Sequence, residues 1–329
     1  MRTEPAKKYS VFIVPTGVGA SIGGFAGDAS CYAREIANKF PLIVNPNVVN
    51  AACFSGISTN MLYTEGWSIS QLFKGSLSLI PSTNNKIGVI FDKAISERIL
   101  NIHINTINAA RTVYGCDVVG YDITDEPCGV DFFMTEAGIS TGALNNNLTL
   151  LKSAKRMIDR GAQALAVVCH FSEPPEDGYK EGEGADIIGG VEAIISHYLT
   201  SELMVPVVHA PAFENIEMSG ELVDPRAAAE YITPTFLPCL LLGLKDAPLL
   251  TKGVNQQGVS LRNISSLIMP YNSLGSSIVF DAIKNNIPVI AIKANKTVLS
   301  VDSYALSLKD DIIILESYGD CLHFLEKVN

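Results

Sequence analysis

Apolar residues in this chain come in short unbroken runs rather than in strict alternation. Such runs stand at 10–15, 42–44, 87–91, 117–123, 164–168, 205–208, 267–269, 289–292 and 312–315, most of them near-continuous Val, Ile, Leu and Ala. A strand covered on both faces has no side to give to polar residues, so the pattern predicts buried, mostly parallel strands. The segments between them, at 29–40, 96–114, 148–160, 190–199, 225–231, 276–285 and 318–326, read as helices. Ser96 and Asn147 stand at cap positions, Gly115 and Gly161 at the stops, and Asp224-Pro225 reads as a cap followed by proline in the first turn. The alternation predicts an α/β fold, with mostly parallel sheets flanked by helices. An acidic stretch rich in Pro and Gly, 172–184, reads as a long surface loop or lid near a lobe boundary. The expectation is two α/β lobes with a cleft between them: 1–145, and 146–329.

The 329 residues are 47% hydrophobic and 18% charged, enough to build a large core. A net charge of −10 with no basic cluster excludes a general nucleic-acid binder. The seven cysteines include no Cys-x-x-Cys pair, which favours reduced thiols and a cytoplasmic location. No apolar run is long enough to span a bilayer, and the opening residues do not read as a signal peptide, so no membrane partner is expected. The apolar stretch 235–244 is either core or the contact face of a homo-oligomer.

The chemistry-bearing signal is the turn after the first strand. Thr16, Gly17, Gly19, Ser21, Gly23, Gly24 and Asp28 lie where a strand hands over to a helix. Glycines let main-chain N–H groups approach a ligand, and a helix start adds partial positive charge. The spacing is neither the dinucleotide fingerprint nor a Walker A loop. It predicts a cradle for a phosphate or carboxylate, or else close helix–strand packing. Asn45, Asn47 and Asn50, after the second strand, offer amides to a polar ligand group or make local turns. A second strand–loop–helix unit presents Ser273, Gly275, Ser276 and Ser277, with Lys293 and Lys296 beyond the next strand.

For proton transfer the candidates are His209, at a strand end between Pro206 and Pro211, with Glu192, His197 and Asp125. Glu192 and His197 are five apart and form no zincin motif. A divalent metal on carboxylates and His209 is compatible with the residue types, but no ligand spacing indicates one, and the cofactor stays unknown. Cys169-His170 also ends a strand, but neighbours on a strand point to opposite faces and would not pair.

Taken together, the strings 14–28, 45–50, 190–197 and 209–212 resemble an uncharacterised cyanobacterial and plastid-lineage family known only as a domain of unknown function, over nearly the whole chain. That resemblance implies no activity. Locally, 151–169 resembles the helix–Gly-Ala–strand–Cys stretch of aspartate/glutamate-type racemases, which implies paired thiols at Cys128 and Cys169. His170-Phe171 stands where those enzymes carry a small polar pair. The sequence thus points to an enzyme acting on a small anionic metabolite. The alternatives are a non-catalytic metabolite-binding or regulatory protein of the same fold, and a two-thiol racemase or isomerase.

Overall fold

The structure, a computed structural model, describes residues 7–25, 27–49, 57–174, 178–215, 222–231 and 233–328. Fourteen strands and nine α-helices are described. Two parallel sheets dominate. The first takes β1 (Tyr9–Phe12), β2 (Leu42–Val44), β3 (Met61–Tyr63), β12 (Ile264–Pro270), β13 (Val289–Ile292) and β14 (Ile312–Leu315), in the order β14-β13-β12-β1-β2-β3. The second takes β5 (Ile87–Phe91), β6 (Val118–Ile123), β9 (Ala164–His170) and β10 (Val207–Ala212), in the order β10-β9-β5-β6. β4 (Leu77–Ile80) pairs with β11 (Leu249–Lys252), and β7 (Val130–Met134) with β8 (Ser140–Leu144), as antiparallel ribbons.

Every strand read from the sequence is present, and the α/β class holds. The helices are α1 (Ser30–Ala37), α2 (Pro46–Val49), α3 (Gly66–Phe73), α4 (Glu97–Tyr114), α5 (Asn147–Asp159), α6 (Gly189–Leu203), α7 (Leu237–Lys245), α8 (Ser277–Lys284) and α9 (Tyr318–Val328). Residues 225–231 are not an α-helix: a turn leads into a short 3-10 segment, Ala228–Tyr231. Gly115 ends α4 in the left-handed conformation. Ser96 stands at the start of α4 without capping it, because its hydroxyl donates to Glu214 instead. Neither does an asparagine side chain cap α5.

The division at residue 145 does not survive. The first sheet joins three strands from before it to three from after it, because β1 pairs directly with β12. One cluster of buried side chains runs from Phe12 and Val44 of the first sheet to Val89, Phe91 and Val168 of the second and includes residues of α1, α4, α7 and α9. The outer face of the first sheet is covered by α3 and α8, that of the second by α5 and α6. The apolar stretch 235–244 is core: α7 is buried against α4, β9 and β10 within one chain, and offers no interface.

Both sheets reverse their strand order once, between β1 and β12 and between β5 and β9. At such a point neighbouring loops leave in opposite directions and open a crevice beyond the strand ends. The two crevices are where the remaining chemistry sits.

Candidate functional site

The Gly-rich loop occupies the first crevice. Gly23 has φ +87, in the region only glycine enters without strain, and a Cβ on Gly24 would stand 2.2 Å from the carbonyl oxygen of Ala20. The loop therefore turns back on itself more tightly than any side chain permits. Among the described residues, no hydrogen bond is made by the main-chain N–H groups of Gly17, Gly19 and Ala20. A cavity of about 40 Å³ opens beside them, lined also by Gly24, Asn47, Tyr179 and Asp186. Asp28 does not face a ligand; its carboxylate accepts the N–H of Gly23. Burial pushes Asp28 up from the usual carboxylate range, opposed by that hydrogen bond and by Arg226.

Residues 178–186 pack against this loop. Tyr179 donates its hydroxyl to Gly24 O at 3.1 Å and packs its ring 4.9 Å from that of Phe25. Arg226 lies over the ring of Phe25, 4.5 Å from its centroid, and donates to Gly182 O at 2.7 Å.

Several expected ligand contacts are spent internally. Asn45 accepts from Val14 N at 3.0 Å and donates to Val14 O at 2.8 Å, so its buried amide extends the backbone pairing of β1. Ser21 is bonded through main chain and hydroxyl to residues 294–296. Asn47 lines the cavity while donating to Pro15 O at 3.1 Å. Asn50 lies outside the described residues. Ser273, Gly275, Ser276 and Ser277 do not join the cavity: Ser276 caps α8 through Ile278 N, Ser273 bridges to Val301, and residues 294–301 are bonded to both loops. Lys293 pairs with Glu316 on the surface.

Helix α6 connects the loop to the candidate proton-transfer groups. Its first residue, Gly189, abuts Thr16, since a Cβ there would meet the Thr16 methyl at 3.0 Å. In its first turn Glu192 reaches His209 of β10, Oε1 to Nε2 at 3.5 Å. Nδ1 of His209 is buried and finds no hydrogen-bond partner among the described residues. His197, further along α6, approaches Glu65, Nε2 to Oε2 at 3.3 Å. Glu65 caps α3 by accepting from Trp67 N at 2.6 Å and Ser68 N at 2.7 Å. Burial pushes Glu65 up, opposed by Ser68, Trp67 and the charge of His209. Burial, and then the charge of His209, lower His197 to about 4, which keeps its imidazole neutral at physiological pH.

Asp125 does not belong here. It is 56% exposed and pairs with Arg156 at 3.2 Å, on the far edge of the second sheet beside Asp122. Glu65 and Asp92, by contrast, escaped the sequence reading. Asp92 follows β5 directly, and the rule that singled out residues at strand ends would have found it.

Asp92, Cys128 and Cys169 fill the second crevice, all buried, their ligand atoms within 4.8 Å of one another. The hydrogen bond with Cys128, and then burial, push the Cys169 thiol well up. The paired thiols do come together, but their sulfurs stand within 4.8 Å of each other. A substrate carbon cannot stand between them, so the two-thiol racemase reading is withdrawn.

Among the described residues no helix is long and apolar enough to cross a membrane. No solved structure matches the chain. A curated relative, described as an uncharacterized lipoprotein of Synechococcus sp. (strain PCC 6301), is 34% identical over 299 residues, covering 89% of this chain and 83% of its own. The family described as protein of unknown function (DUF3326) matches residues 9–327. The chain belongs to that family, in keeping with the resemblance carried by its Gly-rich and histidine-bearing strings.

Proposed function

We propose that this protein is an enzyme acting on a small phosphate- or carboxylate-bearing metabolite. The observation that carries the reading is the set of unbonded N–H groups of Gly17, Gly19 and Ala20 beside an open cavity at a sheet switch point. Donors left without acceptors beside a cavity are costly unless water or a ligand takes them, and oxygen anions match them best. The Glu192–His209 pair supports turnover over passive binding. Glu192 holds Nε2 of the imidazole, the arrangement of a histidine oriented by a carboxylate, while Nδ1 is buried without a partner among the described residues. The pair sits one helical turn from the residue that touches Thr16. Tyr179 and Arg226 would order the cover over a bound ligand.

The thiols of Cys31, Cys116, Cys128, Cys169 and Cys321, none of them in a disulfide, support a reducing, cytoplasmic setting. The word lipoprotein in the relative's description points the other way, to an anchored protein. Detergent-free fractionation of cells decides between them.

Thermal unfolding with inorganic phosphate, pyrophosphate, sugar phosphates and small carboxylates tests the function. A ligand at a hundredfold its Kd stabilises by about 2.7 kcal/mol. Asn47→Asp, which puts a negative charge on the cavity wall, should abolish the shift. Equal shifts in both proteins, or none in the wild type with any of these anions, would overturn the reading. With a binding anion in hand, His209→Asn should keep the shift and lose turnover. Binding without turnover in the wild type would make the protein a sensor.

A further inference from the structure

We propose that Asp92, Cys128 and Cys169 form a binding site for one thiophilic divalent cation of the zinc or cobalt kind. The three ligands come from separate places in the chain. Asp92 follows β5, Cys128 precedes β7, and Cys169 lies in β9, yet their ligand atoms all stand within 4.8 Å of one another. A metal bonded to sulfur at about 2.3 Å and to oxygen at about 2.0–2.2 Å holds its ligands within such a span. Two thiolates with one carboxylate suit a borderline-soft ion better than magnesium or calcium, which prefer oxygen alone.

The surroundings orient the carboxylate as ligand carboxylates are oriented elsewhere. Oδ1 of Asp92 accepts from Ala94 N and Cys128 N, both at 3.0 Å, and Oδ2 accepts from His170 N at 3.3 Å. Cys128 is thus tied to Asp92 through its own main chain as well as through the shared site. Ordinary buried cysteines need no such convergence: Cys321 packs in the core as a small apolar side chain.

Charge also permits it. Before binding, the cluster carries one negative charge, on Asp92, and two protonated thiols. On binding, each S–H bond breaks, two S–metal bonds form, and two protons leave to water. The carboxylate, two thiolates and dication again sum to one negative charge. The net charge of the buried cluster is therefore the same in the loaded and the empty state. Three protein ligands leave a fourth position open. The site lies at the second sheet switch, apart from the Gly-rich cavity, and stands whether or not that cavity binds an anion.

The test uses the full chain, stripped with a chelator under reducing conditions and titrated with Co²⁺ alone. The expected result is a near-ultraviolet thiolate-to-cobalt charge-transfer band saturating at one ion per chain, unchanged in Cys31→Ser and lost in Cys128→Ser/Cys169→Ser. Should the double variant fail to fold, ¹¹³Cd NMR of the loaded wild type reads the donor set directly, and a shift in the range of two sulfur ligands is expected. No charge-transfer band in the wild type, a band that survives the double substitution, or a cadmium shift typical of oxygen ligands would overturn the proposal.

Discussion

Nε2 of His197 stands 3.3 Å from a carboxylate oxygen of Glu65, and the two partners differ sharply in exposure: the glutamate side chain is 3% accessible, the histidine 40%. The imidazole is held to about 4, against 6.5 for the free side chain. A pKa lowered by folding means that the unfolded chain takes up the proton first as pH falls. The stability linked to His197 is complete above 6.5, drains away between 6.5 and 4, and changes no further below that. Solvent screening at a side chain this exposed limits the effect to about 1 kcal/mol. Burial raises Glu65, which works in the opposite sense, so the histidine is isolated by comparison. The unfolding midpoint of wild type should fall more steeply over this window than that of His197→Gln, and the ring should titrate near 4 by NMR.

Gly24→Ala should destabilise the protein by at least about 2 kcal/mol, because the new Cβ would meet the Ala20 backbone rather than a side chain that can move. Urea unfolding measures it. A cost below half of that would mean that the loop relaxes freely.

Asn45→Ala should cost about 2–4 kcal/mol, since it strips a buried N–H and a buried C=O of Val14 of their partners at once. Asn45→Asp keeps the acceptor for Val14 N but confronts Val14 O with another oxygen, so it should not rescue. Chemical denaturation of the three proteins orders them.

Asp125→Ala should change stability by less than about 1 kcal/mol and leave anion binding intact, as an exposed partner of Arg156. Asp122→Ala should cost more, about 1–3 kcal/mol. Its carboxylate is largely buried and accepts from Ser153 at 2.6 Å and Arg156 at 2.8 Å, bonds that hold it below the usual range against the opposing effect of burial. The contrast is read by thermal unfolding of the two variants.

The buried strands were legible because a strand sandwiched between helices must be apolar throughout, as Ile87–Phe91 and Ile312–Leu315 are. Met61–Tyr63 was too short to register beside the residues around it, and in β7 half-buried Val130 and Phe132 are followed by exposed Phe133 and Met134, which look like loop. The Gly-rich turn was legible because glycine marks backbone need directly. The pairings were not. Glu65 with His197, and Asp92 with two cysteines, are long-range meetings set by sheet order, and a local reading had no means to anticipate that β1 and β12 are neighbours. Asp125 misled for the same reason: at a strand end on an outer edge, it faces arginines rather than a crevice.

The hydroxyls of Ser10 and Ser266 touch across the middle of the larger sheet, 256 positions apart in the chain. During synthesis β1 leaves the ribosome long before β12 exists, so its inner edge must wait, apolar and unpaired, until most of the polypeptide has emerged. Assembly dominated by so distant a pairing is slow, and the nascent chain is exposed to aggregation throughout the delay. Expression of this protein should therefore depend on chaperone supply, and any truncation before residue 264 should yield insoluble material rather than a smaller folded unit.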